Sequence, residues 1–211
     1  MKLTSLVICS IITLLFVPVR KSKTVINKAG QVNFIQQQLL HPADTLTWIE
    51  DFKLFRTAIY QNDIAKVKTY FKFPVLNANN EIWYLILPEA QLSKGKFSGN
   101  KIVPFNEKDL VQYYHKIFPK KFIKSILKIK TDELYKKGYV ETAEQSDSTA
   151  KYTMYATYDK QSGLLSLNLA YNSMIKNEED GSTDVEESNV IYYFTVQKNG
   201  KLFFKEIRLA G

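Results

Sequence analysis

The chain is poor in the residues that reactive chemistry draws on. Among 211 residues there is one cysteine, Cys9. It lies in a greasy N-terminal stretch, so the remainder has no thiol for a disulfide, a nucleophile or a sulfur-ligated metal. The two histidines, His41 and His115, are far apart, and neither has another histidine or a cysteine at ligand spacing. Each reads as a surface or edge residue, and no metal site is expected. Arginine is missing from the basic stretch 94–137, which holds twelve lysines against four acids. Phosphate clamps and base readout favour guanidinium forks, so a lysine-only stretch with no RNA- or DNA-binding motif reads as a solvated helix face. No nucleic-acid partner is expected. The sequence also lacks a glycine-rich phosphate loop, a Gly-x-Ser-x-Gly elbow and a His-Glu-x-x-His pair, so no cofactor is implied and no catalytic set can be named.

What is present belongs to a folded globular protein. Hydrophobic residues make up 45% of the chain and charged residues 24%, far from the composition of disorder. Thirteen tyrosines and thirteen phenylalanines supply large buried areas, and tyrosine keeps a polar tip that suits a core or a ligand pocket equally. The net charge of +8 is segregated, because Asn177 to Glu187 carries six acids and no base. With Gly181 and Ser182 inside it, Asn177 to Ser188 reads as a mobile acidic surface loop.

The N-terminus has the form of a secretory leader: Lys2, then an apolar run from Leu3 to Val19. The protein is expected to be periplasmic or secreted. Arg20, Lys21 and Lys23 follow the run, and no small-x-small cleavage site precedes them. The alternative is therefore an uncleaved membrane anchor through residues 3–19, with the membrane met through that segment alone. Residues 20–43 read as a polar linker, and residues 44–211 as one domain.

Within that domain Asp44 or Thr45 is placed to cap a helix reaching Tyr60, with Trp48, Ile49, Phe52, Phe55 and Ile59 on one face. Asn62-Asp63 opens a second, shorter helix carrying Ile64, Val67, Tyr70 and Phe71, which ends before Pro74. Glu81 to Leu87 has the length of a strand, and Gln91 to Lys101 reads as loop. Asn106 caps a helix with Leu110, Val111, Tyr114, Ile117 and Phe118 as its stripe, continued past Pro119 by Phe122, Ile123, Ile126 and Leu127. Tyr152, Met154, Ala156 and Tyr158 then alternate, as do Leu165, Leu167, Leu169 and Tyr171 beyond a turn at Ser162-Gly163. Val190, Tyr192, Phe194 and Val196 form a third strand. Asn199-Gly200 turns the chain into Leu202 to Leu209, with both turn residues at positive φ. Four antiparallel strands with helices on one face make an α+β fold with a curved, mainly antiparallel sheet.

That order resembles the nuclear transport factor 2-like superfamily, whose members are cone-shaped α+β domains. The resemblance is carried by Phe52-Lys-Leu-Phe55 through Asp63 to Phe71-Lys-Phe-Pro74, and by Asn199-Gly-Lys-Leu-Phe-Phe-Lys-Glu-Ile-Arg-Leu209. It implies either a binding module that holds a small apolar ligand or a protein partner, or a cofactor-free isomerase or hydratase acting in the cone. A homodimer through the sheet is a third outcome. The residues expected to line a cone pocket are Tyr114, His115, Tyr152, Tyr171 and Tyr192. With no convergent acid, base and nucleophile among them, the expected role is non-catalytic binding.

Overall fold

A computed structural model describes residues 47–93, 97, 101–176 and 183–211. The expected leader and linker lie outside them, as do parts of the 91–101 segment. Among the described residues no helix is long and apolar enough to cross a membrane.

The first helix, α1 (Trp48–Tyr60), starts later than the sequence suggested. Its cap is Thr47, because Glu50 stands three residues on and its carboxylate accepts from the Thr47 N–H at 2.9 Å and hydroxyl at 2.8 Å. Trp48, Ile49, Phe52, Phe55 and Ile59 are buried as expected, and Asp51 is buried among them. Helix α2 (Ile64–Lys68) is capped by Asp63, which accepts from the Lys66 N–H at 2.9 Å.

The strand expected over Glu81–Leu87 is instead a helix, α3 (Glu81–Ile86). A short apolar run does not distinguish strand from helix by periodicity. Here Asn79 and Asn80 take left-handed backbone, at φ 54° and 58°, and turn the chain into a helix. The Asn80 side chain accepts from the Val103 N–H at 2.7 Å and donates to the Lys101 carbonyl at 2.9 Å, while Trp83 Nε1 donates to the Val103 carbonyl at 2.9 Å. Ile82, Trp83 and Ile86 face inward at helical spacing, with Tyr84 exposed. Part of the expected 91–101 loop is helical too, since α4 (Glu89–Leu92) runs into it.

Asn106 and Asp109 cap α5 (Glu107–Ile117) reciprocally, and α6 (Lys120–Lys128) exposes Lys120, Lys124 and Lys128 but turns Lys121 toward the sheet. Two of the expected stripe residues, Val111 at 49% and Leu127 at 37%, are exposed. Helix α7 (Thr131–Lys137), which the periodicity did not announce, buries Leu134 and ends at Gly138, a left-handed residue at φ 75°.

The sheet is antiparallel throughout. Its long strands are β3 (Lys151–Asp159), β4 (Leu164–Lys176), β5 (Thr183–Val196) and β6 (Leu202–Ala210). Two short strands, β1 (Tyr139–Glu141) and β2 (Gln145–Ser146), both pair with β3, giving the order β1-β3-β4-β5-β6 with β2 beside β3. Alternation puts Tyr152, Met154, Ala156, Leu165, Leu167, Leu169, Tyr192, Phe194, Leu202, Phe204 and Ile207 in one buried face under the helices. This is the α+β class expected from the sequence.

Two local expectations fail. The second half of the expected acidic loop is strand: Thr183 to Ser188 belongs to β5 and pairs with Tyr171 to Lys176, while residues 177–182 lie outside the described residues. Backbone pairing in a two-sided solvated ribbon needs no apolar alternation, so charge masked the strand. The Asn199-Gly200 turn places Gly200 alone at positive φ, 80°. The Gly200 N–H donates to the Gln197 carbonyl at 2.9 Å and the Gln197 N–H to the Lys201 carbonyl at 2.8 Å, a three-residue loop ending in a left-handed glycine. Gly200→Val should cost about 1–2 kcal/mol in urea denaturation, since a β-branched residue resists that φ. An unchanged midpoint would show that the turn tolerates other backbone.

The outer edge of β6 is closed by side chains and loop backbone. The Tyr70 carbonyl accepts from the Phe204 N–H at 2.7 Å. Asn77 accepts from the Ile207 N–H at 2.7 Å and donates to its carbonyl at 3.0 Å, and Glu81 accepts from the Leu209 N–H at 2.6 Å.

Candidate functional site

The space between helices and sheet is filled by rings. Phe55 stands 5.0 Å from both Tyr70 and Phe194, and Phe122 lies 4.3 Å from Tyr192 (centroid distances). Two of the five expected pocket residues belong to this packing. The Tyr192 hydroxyl donates to the Ile117 carbonyl at 2.7 Å, and the Tyr114 hydroxyl to the Ile59 carbonyl at 3.3 Å. Burial raises the pKa of both phenols, that of Tyr114 to about 12 with Asp63 adding to the shift. His115 follows Tyr114 on α5 but is exposed, its ring 5.3 Å edge-on from that of Tyr114.

The other two meet. Tyr152 and Tyr171 are directly opposed on β3 and β4, with centroids 6.4 Å apart. The Lys121 ammonium from α6 lies 5.5 Å from one ring and 5.6 Å from the other. Burial, then Tyr152 and Asp147, push the Tyr171 phenol up to about 12. Lys121 is held by Asp147 at 3.2 Å and by the Thr149 hydroxyl at 2.7 Å. The cluster can donate hydrogen bonds and present positive charge.

Asp147 is poorly suited to act as a base there. Its carboxylate accepts from the Thr149 N–H at 2.9 Å and hydroxyl at 2.7 Å, with Lys121 as a further partner, and these hold its pKa well below the usual carboxylate range. A depressed folded pKa contributes stability above the unfolded value near 4, and that contribution is lost as pH falls through the folded pKa. Carbon-detected NMR should find Asp147 still ionised at about pH 3, and Thr149→Val should bring its midpoint up. A wild-type midpoint near 4 would contradict the assignment.

A buried acid beside a tyrosine does occur, away from these residues. Asp51 on α1 accepts from the Leu202 N–H at 2.8 Å and the Lys201 ammonium at 3.0 Å, with the Tyr70 hydroxyl at 3.4 Å. Burial, then Asp51, raises the Tyr70 pKa. The partners of Asp51 pin α1 to the start of β6 and to the chain following α2, which is a structural assignment. The sequence carried a signal for it, since Asp51 falls inside the apolar stripe of α1.

The sheet's other face carries no helix among the described residues. Tyr155, Asn168, Ile191 and Arg208 form one cross-strand row, and Thr157, Ser166 and Tyr193 the next. Arg208 lies over the Tyr193 ring at 5.3 Å and pairs with Glu206 at 3.0 Å. Beside these rows is a depression of about 270 Å³ at the β3–β4 end of the sheet, bordered by Glu144, Tyr152, Tyr155, Tyr171, Glu187 and Asn189 among others. Of the residues expected to line a pocket, Tyr152 and Tyr171 border this depression, whereas the outward-facing rows beside it were not singled out in the sequence.

This geometry defines the class of the molecule: helices on one face of an antiparallel sheet whose opposite face is polar and aromatic. No protein-family model matches the chain, and no curated protein matches it. Among solved structures it is similar to the "putative ketosteroid isomerase" from Shewanella frigidimarina NCIMB 400, at 11% identity and a TM-score of 0.32, covering 79% of this chain and 98% of that one.

Proposed function

We propose that the domain is an exported, non-catalytic binding module that meets a protein partner on the outer face of its sheet. The observation that carries this is the contrast between the two faces. The inner one is filled by phenylalanine and tyrosine rings whose polar tips are spent on backbone carbonyls, whereas the outer one presents Tyr155, Ile191 and Tyr193 half-buried. Aromatic residues with a polar surround suit a protein interface. The rival reading is an isomerase or hydratase acting inside the cone, or uptake there of a small apolar ligand. The ring-filled interior and the strongly acidic Asp147 weigh against it.

The test is a photoreactive amino acid placed at Tyr193, with exposed Tyr60 on α1 as control, in cells that make the protein. A discrete adduct at position 193 and none at 60 is expected. An adduct of twice the chain mass would make the partner a second copy. No adduct at 193, or turnover of an isomerase substrate, would overturn the reading. Fractionation with N-terminal sequencing tests the export component, which a cytosolic, uncut chain would overturn.

A further inference from the structure

The strands β4 and β5 run on together beyond the rest of the sheet. Pairing of β3 with β4 stops at Lys151 and Asn172, and pairing of β6 with β5 stops at Ala210 and Asn189. The residues beyond, 173–176 and 183–186, pair with each other as a two-stranded arm. Such a ribbon is marginal without a third strand or a packed face.

The backbone direction on the arm's β3 side follows from the ladder. The Thr142 N–H donates to the Met154 carbonyl at 2.9 Å and the Tyr158 N–H to the Gly138 carbonyl at 2.7 Å, so even-numbered residues of β3 direct their backbone groups away from β4. Odd-numbered ones, Lys151 included, direct theirs toward it. Asn172, opposite Lys151, therefore points at β3, and two and four residues on, Met174 and Lys176 point the same way with no β3 residue opposite. The chain before Lys151 has turned aside. Asp147 holds the Thr149 and Ala150 N–H groups at 2.9 and 3.2 Å, and its own N–H donates to the Ala150 carbonyl at 3.1 Å. A groove of about 470 Å³ lies between that loop and Asn172 and Val185.

We propose that this edge takes up an extended, lysine- or arginine-bearing peptide as an added strand. It would lie where β3 would have continued and would pair with the backbone of Met174 and Lys176. The charge selects the occupant: Glu186 and Glu187 on β5 are exposed, and Glu144 lines the groove. Val185, 60% exposed, offers apolar contact. The inference rests on the partner-binding reading and names the chemistry of one partner, but it uses the edge of the sheet and not its outer face.

The probe is a fluorescein-labelled octapeptide of alternating lysine and valine, titrated into the full chain. Saturable binding in about the micromolar range that weakens with salt is expected, together with slowed amide exchange at Met174 and Lys176. Three changes should each weaken binding by about tenfold or more: N-methylation of alternate peptide nitrogens, glutamate in place of the peptide's lysines, and Met174→Pro in the protein. The last removes an N–H that the β5 ladder does not use, so the thermal midpoint should hold. If that variant unfolds, the methylated peptide still decides. Absence of saturable binding, equal binding of the methylated peptide, or equal binding of the glutamate peptide would each overturn the proposal. Loss of peptide binding with the Tyr193 adduct retained sinks the edge alone, and the reverse result sinks the outer-face reading alone.

Discussion

Truncating Phe55 to alanine should cost the domain about 3–5 kcal/mol in urea denaturation, the range for deleting a buried phenylalanine side chain. Phe55 is fully buried and sits where α1, the chain following α2 and the sheet meet. Its ring faces Tyr70 at 5.0 Å, Phe194 at 5.0 Å and Phe118 at 6.1 Å, in edge-on geometries. These come from three separate segments, so no single backbone shift can close the cavity, which places the expected loss in the upper half of the range. A loss below about 1 kcal/mol would show that α1 does not present this face to the sheet.

Asp51→Ala should be nearly as damaging, at about 3 kcal/mol, because it removes the acceptor of the buried Leu202 N–H and the counter-charge of Lys201 together. Lys201 is partly exposed and can turn to water, which holds the figure at the low end for a broken buried pair. Asp51→Asn keeps an acceptor for the Leu202 N–H and should lose less than half as much. If Asn and Ala variants lose equally, the backbone bond is not what Asp51 contributes.

The parts of this fold that could be read from the sequence are those in which burial imposes a period. Trp48, Phe52, Phe55 and Ile59 repeat at helical spacing because one side of α1 meets the sheet. Tyr152 to Tyr158 and Leu165 to Tyr171 alternate because helices cover one face. Helix α7 has Leu134 as its one fully buried residue, so no stripe announced it, although Asp132 and Glu133 at its start, Lys136 and Lys137 at its end and Gly138 beyond are helix-end signals. Over Glu81–Leu87 the decisive residues were outside the run, in the asparagine pair before it. The candidate site was harder to see, since Tyr114 and Tyr192 look the same in sequence whether their hydroxyls meet a ligand or a carbonyl. Their partners, Ile59 and Ile117, lie 55 and 75 residues away.

The closure of β6 by Tyr70, Asn77 and Glu81 has a consequence for how copies of this chain can associate. A sheet that grows by adding strands into a fibre needs two receptive borders, one to accept and one to be accepted. Here the last ladder is already answered by the molecule's own asparagine, glutamate and carbonyl oxygen. Along β6, therefore, no strand of another copy can be taken up without displacing those partners, so copies of this chain cannot extend the sheet through its last strand.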